Sequence, residues 1–172
     1  MDSATVTATV DDNLLSLVSA ASAEHVPVGH ASFVRHAGRI GVDSALHLAT
    51  SANWQQPVTV TVEMYLPGEP HPELSPEWEL DATGVFPQLT KDQLSLRSDA
   101  YENFMFPFTP EVGDYRFEAW VTGREENRTA MEQWEDQQFG KGGAALPWDE
   151  ASKTVPECSE RWIVRFTPVT SA

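Results

Sequence analysis

The sequence predicts an all-β protein: an antiparallel β-sandwich of about eight to ten strands, with one short helix in an insertion. Two observations lead to this fold class. Alternation of apolar and polar residues with period two recurs in short segments along the chain, and turn-forming residues separate those segments. In addition, no long alternation of strand and helix patterns occurs, which disfavours a parallel α/β sheet.

The clearest strand pattern lies at residues 58–66. Its apolar and mostly polar positions alternate strictly: Val58, Val60, Val62, Met64 and Leu66 against Thr59, Thr61, Glu63 and Tyr65. Because successive side chains point to opposite faces of a strand, the pattern predicts one buried and one hydrated face. The same period recurs at six further places: residues 6–10, 78–80, 94–96, 104–108, 115–121 and 162–166. Weaker strand candidates lie at residues 31–36 and 38–49.

Turns and one helix complete the predicted architecture. Pro67-Gly68 ends the clearest strand, and residues 110–113 precede the strand that starts near Tyr115. A helix is predicted over residues 124–139, because Met131 and Trp134 are three residues apart and Arg128 can reach Glu132. Residues 140–153 contain three glycines and a proline and are predicted to be a loop. We therefore expect one domain, residues 1–172, with residues 124–157 as a helix-and-loop insertion.

Composition limits the possible environments of the chain. Its 172 residues include one cysteine, Cys158, so no disulfide can form within the chain, and a reducing, cytoplasmic compartment is expected. No run of about 18 apolar residues occurs that could span a membrane. Residues 14–23 are mildly apolar, but acidic rather than basic residues precede them, so we interpret them as part of the fold and not as a secretion signal.

The net charge is the most unusual bulk property. Eleven Lys and Arg residues against 26 Asp and Glu residues give −15 at pH 7. Such a field repels phosphate backbones and anionic lipids, which argues against nucleic-acid and membrane partners. It favours a basic protein partner; simple solubility is the alternative interpretation.

No pattern in the sequence indicates catalysis. The histidines form neither a His-x-His nor a His-Glu-x-x-His motif: His25, His30, His36, His47 and His71. A Gly-x-Ser-x-Gly elbow and a phosphate-binding loop are both lacking, and acidic neighbours are expected to raise the pKa of the Cys158 thiol. We therefore predict no catalytic residue, no metal site and no cofactor.

Two acidic segments are candidate binding surfaces. Residues 63–81 contain six acidic residues and no Lys or Arg, and residues 124–160 contain nine acidic residues against four basic ones. If both lie at one end of the fold, they form a negative surface suited to a basic protein. The candidate partner-binding residues are Glu69, Glu73, Glu77, Glu79, Glu125, Glu126, Glu132, Trp134, Glu135 and Asp136.

The six tryptophans divide into three groups. Trp78 and Trp162 occupy positions in phase with the core, whereas Trp120 is out of phase with the buried face of its strand. The remaining three lie in or near predicted loops: Trp54, Trp134 and Trp148. Exposed aromatic rings could anchor a protein interface or stack on sugars, and covering by the insertion is the plainer interpretation.

From Val58 onward the chain resembles the bacterial competence protein J family of nuclease inhibitors. The resemblance rests on the order of the strand patterns, on the segment Gly113-Asp114-Tyr115-Arg116 and on the closing strand at residues 160–168. It implies a β-sandwich and a small protein that blocks a nuclease or toxin. Residues 127–157 depart from the family pattern, and the first thirty residues match no part of it.

Together these observations predict a non-catalytic, acidic protein-binding module, such as an inhibitor or immunity protein of a basic enzyme. A structural or assembly subunit that packs against copies of itself is the first alternative. A sandwich that binds a sugar or another small ligand through Trp54, Trp134 or Trp148 is the second. The residues do not fix the oligomeric state.

Overall fold

The computed structural model describes residues 1–19, 41–42, 45–89, 94–100, 102–108, 110–140 and 147–169. Its strands are β1 (Asp2–Ser19), β2 (Gly41–Val42), β3 (Ala45–Met64), β4 (Glu79–Leu89), β5 (Leu94–Ser98), β6 (Asn103–Met105), β7 (Gly113–Thr122) and β8 (Arg161–Pro168). Its helices are α1 (Arg124–Phe139) and α2 (Trp148–Ala151), followed by a 3-10 turn at Ser152–Thr154. The weak strand candidate at residues 31–36 and three of the histidines, His25, His30 and His36, lie outside the described residues.

The strands form a mixed sheet with the order β4-β7-β8-β3-β1-β5-β6, and β2 pairs with β3. Most pairs are antiparallel, but β8 runs parallel to β3, with Thr59 opposite Arg161 and Met64 opposite Phe166. The prediction of a β-rich chain is confirmed, whereas the predicted antiparallel pairing is corrected, because the sheet is mixed. Side-chain alternation is the same in parallel and antiparallel strands, so the sequence pattern carries no information on direction.

The two longest strands, β1 and β3, are irregular at one shared place. Their register shifts between Val10 and Leu14, opposite the segment 49–56 of β3. Asn13, Trp54 and Gln55 adopt positive φ angles there. A bulge of this kind bends a strand and increases its twist. The positions of β1 that belong to the main core cluster accordingly change from even to odd numbers: Ala8 and Val10 before the shift, Leu15 and Leu17 after it.

One apolar core receives side chains from both sides of this bend. Val58, Val60 and Val62 of β3, predicted to be buried, are fully buried. Leu46 and Leu48 from the other half of β3 belong to the same cluster. Its largest fully buried side chains are Trp162, Phe106 and Phe166. Each Å² of apolar surface removed from water contributes about 25 cal/mol to the free energy of folding, so this cluster is the main source of stability.

The predicted helix has the bounds that the sequence pattern indicates, Arg124–Phe139. It lies between β7 and β8 in the chain and packs on β3 through a second, small cluster: Met131, Trp134, Ala151, Trp54 and Val155. The prediction that residues 140–153 are a loop is wrong for residues 148–153, which form α2 and the start of the 3-10 turn. Acidic residues in the first turn of α2, Asp149 and Glu150, suit a helix N-terminus.

The strand pattern at residues 78–80 gives the wrong buried face. Leu80 is 49% exposed, and Trp78 is partly exposed and precedes β4. Leu80 lies opposite Trp120, whereas Ala82 lies opposite the buried Ala119, because the register shifts between Leu80 and Ala82. The two residues therefore face opposite sides of the sheet, and Ala82 is the one on the core side. The pattern at residues 104–108 ends early, because β6 stops at Met105, although Phe106 is buried as predicted.

Candidate functional site

A proline-rich segment, residues 67–78, connects β3 to β4, and we name it the strap. It begins with the predicted turn, in which Glu69 N–H donates to the Leu66 carbonyl at 3.1 Å and Gly68 has φ +76°. Proline followed by glycine is the pair that this turn requires. The Glu69 carboxylate accepts a hydrogen bond from Leu66 N–H and pairs with the amino group of Met1 at 3.0 Å. These bonds lower the pKa of Glu69, and the hydrogen bond from Leu66 N–H has the largest effect.

The strap is attached to the outer face of β7 and β8, the face opposite the core. His71 Nε2 lies 3.0 Å from Thr167 Oγ1, and the His71 ring packs on Tyr65 at 4.1 Å between centroids. Arg165 donates to the Pro72 carbonyl at 2.9 Å. Prolines at positions 67, 70, 72 and 76 fix four φ angles, so the strap loses little further entropy on docking.

A charged row lies beneath the strap. Arg165 is 4% exposed and donates through Nε to Glu63 Oε2 at 2.9 Å. Tyr65 Oη donates to the same carboxylate oxygen at 2.7 Å. Burial, followed by the hydrogen bond to Glu63, raises the pKa of Tyr65 to about 12. The cation of Arg165 is therefore neutralised within the protein.

The strap and the sheet enclose a groove of about 410 Å³. Its aromatic walls are Trp78 of the strap and Trp120 of β7, both partly exposed. Its carboxylates are Glu73 and Glu118, and Glu118 Oε2 accepts a hydrogen bond from Trp120 Nε1 at 3.2 Å. His71 Nδ1 lies 3.5 Å from the same oxygen. We name this cleft the tryptophan groove.

The acidic residues near the groove differ in their pairing. Glu73, Glu77 and Glu79 are exposed, and no basic side chain of the described residues forms an ion pair with them. We name these three, Glu73 and Glu77 of the strap and Glu79 at the start of β4, the strap acids. Glu69, by contrast, is paired with the N-terminal amino group. Of the four candidates in this segment, the three strap acids are thus available to a partner.

Three of the acidic candidate partner-binding residues on α1 already form ion pairs or hydrogen bonds within the protein. Arg128 lies 2.6 Å from Glu125 and 4.0 Å from Glu132, and Trp54 Nε1 donates to Glu135 at 2.7 Å. Glu126 and Asp136 are exposed on α1.

Trp134 lies in the second core cluster and not on the surface. It is 4% exposed, and its Nε1 donates to Thr154 Oγ1 at 3.0 Å. Its ring packs against Trp54 at 5.8 Å and Phe139 at 5.9 Å between centroids. Neither partner contact nor sugar stacking is open to Trp134 in this conformation, and Trp54 is engaged with Phe139 as well. The side chain of Trp148 lies outside the described residues.

One ion pair joins the two acidic segments. Arg124, the first residue of α1, donates to Asp81 of β4 at 2.8 Å and to the Ala49 carbonyl at 3.2 Å. Glu79 and Glu125 flank this pair in the sequence, and Glu79 lies opposite Val121, so Glu79 and the first turn of α1 lie at the same end of the sheet. Asp136 lies ~18 Å further along the helix axis, at 1.5 Å per residue. Among the described residues, this ion pair joins the two segments at the N-terminal end of α1.

A buried polar network holds this end together. Glu160 is 1% exposed, and its Oε2 accepts hydrogen bonds from Ser51 N–H at 2.7 Å and from the Ser51 hydroxyl. Its Oε1 accepts from Trp162 Nε1 at 2.7 Å. Nearby, the side-chain amides of Gln56 and Asn127 bond each other at 3.1 Å. Burial raises the pKa of Glu160, against the effect of its hydrogen bonds.

The described residues contain no arrangement typical of an enzyme site. No three of their His, Cys, Asp and Glu side chains are placed to hold a metal ion. Ser16 Oγ lies 2.7 Å from His47 Nδ1, but no carboxylate in the described part of the chain orients this imidazole, and burial lowers its pKa. No helix among the described residues is long and apolar enough to cross a membrane.

Cys158 is predicted to react slowly. Burial raises the pKa of its thiol to about 11. The hydrogen bond to the Glu160 carbonyl acts in the opposite direction, and the negative charge of Glu160, the acidic neighbour that the sequence indicated, raises the pKa least. Because the thiolate is the nucleophile, we expect Ellman's reagent at pH 8 to modify the folded protein at least about tenfold more slowly than the urea-unfolded protein. Equal rates in the two states would contradict the expected burial.

Much of the groove is not evident in the sequence. His71, Glu118 and Arg165 meet only because the strap folds back over β7 and β8. One signal was available: Trp120 is out of phase with the apolar positions of its strand. The prolines of the strap were a second signal, because proline favours an extended segment over a flexible loop.

Comparisons with known proteins identify the fold. No family model matches the sequence, and no curated protein matches it. A crystal structure of ComJ from Bacillus subtilis, described as an inhibitor of the DNA-degrading activity of NucA, has a TM-score of 0.57, with 96% of each chain covered and 10% identity. The chain shares the fold of ComJ. The structure described as crocagin biosynthetic gene J covers 98% of each chain at 12% identity, with a TM-score of 0.48. The resemblance to the competence protein J family is confirmed, at the level of the fold.

Proposed function

We propose that the chain is a non-catalytic inhibitor that binds a basic protein, such as a nuclease, through the strap acids. The observation that carries this proposal is that Glu73, Glu77 and Glu79 are exposed and unpaired on a rigid segment beside a cleft. Surface carboxylates of this kind steer a basic partner and compete with the phosphates of its substrate. ComJ, which has the same fold, is an inhibitor of DNA degradation by NucA.

The geometry favours the strap over helix α1 as the contact surface. On α1, Arg128 offsets part of the negative charge of Glu125 and Glu132. No basic side chain of the described residues forms an ion pair with the strap acids: Arg165 is buried against Glu63, and Arg161 packs over the Trp78 ring. Three exposed carboxylates against one exposed guanidinium group leave a negative charge at the strap for a partner to meet.

Self-assembly through the sheet edge has less support. β4 is an edge strand, but its register is interrupted twice, and Pro87 removes one hydrogen-bond donor. Bulges and proline are devices that protect an edge from pairing with another strand.

The inhibitor proposal predicts a specific loss on neutralising the strap acids. We expect the triple variant E73Q/E77Q/E79Q to raise the half-inhibitory concentration about tenfold, since exposed ion pairs contribute modestly and three are removed. The assay follows cleavage of a fluorogenic DNA duplex by the DNase fraction of the source organism that a cation-exchange resin retains. Inhibition should weaken between 50 and 300 mM NaCl, because salt screens exposed charges.

The matched control is E125Q/E126Q/E132Q, which changes the net charge by the same amount on α1. We expect it to change the half-inhibitory concentration less than about threefold, because Arg128 already offsets part of that charge. An equal loss in both variants would mean that net charge alone determines binding and would contradict the assignment to the strap. No inhibition by the unmodified chain would overturn the proposed function.

A further inference from the structure

We propose that the tryptophan groove receives an arginine side chain of the basic partner. This inference rests on the proposed function and adds the chemistry by which one residue of the partner is recognised. The groove combines two features suited to a guanidinium group: the partly exposed rings of Trp78 and Trp120, and the carboxylates of Glu73 and Glu118. A cation over the face of tryptophan is the strongest pairing of its kind among the aromatic residues.

The electrostatics of the groove favour a cation. Arg165 lines the groove, but its Nε is bonded to Glu63 and its Nη2 to the Pro72 carbonyl, so its charge is offset internally. His71 faces Glu118 at 3.5 Å and packs on Tyr65. Glu73 carries no internal partner among the described residues. Arg161 packs over Trp78 at the edge of the groove, but the exposed carboxylates of Glu73, Glu77 and Glu79 outnumber it, so the net charge there is negative.

The protein itself contains examples of the proposed contact. The guanidinium carbon of Arg161 lies 5.7 Å from the centroid of the Trp78 ring, and that of Arg124 lies 4.8 Å from the Trp162 ring. Both distances are within the range of a cation–π contact. The Trp78 ring at the edge of the groove thus already packs against a guanidinium group, whereas Trp162 lies in the core. A partner's arginine would meet the remaining surface of Trp78 and the ring of Trp120.

Shape and chemistry distinguish arginine from other ligands. The groove, at about 410 Å³, is at the small end of ligand sites and admits one long side chain with its water. The planar guanidinium can stack on an indole while its N–H groups donate to a carboxylate, whereas the ammonium of lysine acts as a point charge. A neutral sugar would leave the charge of Glu73 without compensation.

The test uses the isolated protein and a short peptide, so it does not depend on the nuclease. The probe is glycyl-arginyl-glycine blocked at both ends, and the readout is the indole N–H signals in ¹H–¹⁵N NMR spectra. Trp78→Phe and Trp120→Phe assign the two groove signals. We expect both to shift and saturate with the arginine peptide, and the neutral citrulline peptide to bind roughly tenfold more weakly.

Variants separate the groove from general surface charge. Glu118→Gln should weaken arginine binding severalfold, whereas Glu126→Gln, which removes an exposed charge from α1, should leave it unchanged. Equal shifts with the citrulline peptide, or shifts that grow linearly without saturation, would overturn the proposal. Equally tight binding of a lysine peptide would overturn the assignment to arginine.

The outcomes also separate this inference from the proposed function. If the peptide fails to bind while E73Q/E77Q/E79Q still weakens nuclease inhibition, the groove assignment is wrong and the inhibitor proposal stands. If the peptide binds with the expected selectivity but no basic nuclease is inhibited, the groove is a guanidinium site and the inhibitor proposal is wrong.

Discussion

Replacing Gly123 with alanine is expected to destabilise the protein by about 3 kcal/mol or more. Gly123 precedes α1 at φ +72°, and an added Cβ would lie 2.1 Å from the Ser159 carbonyl oxygen and 2.6 Å from its carbon. The left-handed conformation costs a residue with a side chain about 1–2 kcal/mol, and overpacking against backbone adds about 1–3 kcal/mol. Thermal unfolding should show a decrease in Tm of about 6–12 °C for a chain of this size.

Gly68→Ala is the matched control. Gly68 has a similar angle, φ +76°, but no atom lies within 4 Å of the added Cβ. Only the conformational cost of about 1–2 kcal/mol should appear. If Gly68→Ala and Gly123→Ala lower Tm equally, the close approach of residues 123 and 159 is not present in solution.

Replacing Glu160 with alanine is expected to cost about 3–5 kcal/mol, because it leaves buried hydrogen-bond donors without an acceptor. The Ser51 backbone and hydroxyl and the Trp162 indole all donate to this carboxylate. Arg124 Nε lies 4.0 Å away and would lose a counter-charge. Urea unfolding followed by tryptophan fluorescence measures the change as a lower midpoint with an unchanged slope.

Two further variants make this result specific. Glu157→Ala removes an exposed carboxylate three residues earlier, and we expect its effect to stay within about 0.5 kcal/mol. Glu160→Gln retains one acceptor oxygen, so its loss in the free energy of unfolding should lie between those of Glu157→Ala and Glu160→Ala. A loss for Glu160→Ala no greater than that for Glu157→Ala would contradict the buried network.

The strands were predictable where one face is buried without interruption. Val58, Val60 and Val62 alternate with threonines, and the core cluster contains all three valines. The pattern failed at Leu80, because a register shift two residues into β4 exchanges the two faces. The bend in β1 had a local signal in Asn13, a residue type that tolerates positive φ, but its position depends on pairing with residues 49–56.

The candidate site was predictable in composition and not in arrangement. The acidic segment at residues 63–81 is evident in the sequence, but the pairing of Glu69 with the amino group of Met1 connects residues 68 positions apart. The burial of Trp134 likewise depends on Trp54, eighty positions away in the chain. Such distant contacts follow from topology, which residue spacing does not encode.

The position of β8 has a consequence for biogenesis. This strand, Arg161–Pro168, lies between β3 and β7, so it bridges two parts of the sheet that are otherwise separate. During translation, β1 with β3 and β4 with β7 can form as separate hairpin-like pairs, but neither can close its open edge until residue 168 has left the ribosome. Contacts between residues about one hundred positions apart, such as Thr59 with Arg161, form slowly. Between the synthesis of β7 and that of β8, the nascent chain therefore exposes the unpaired edges of β3 and β7, and pairing with another chain is most favoured in that interval.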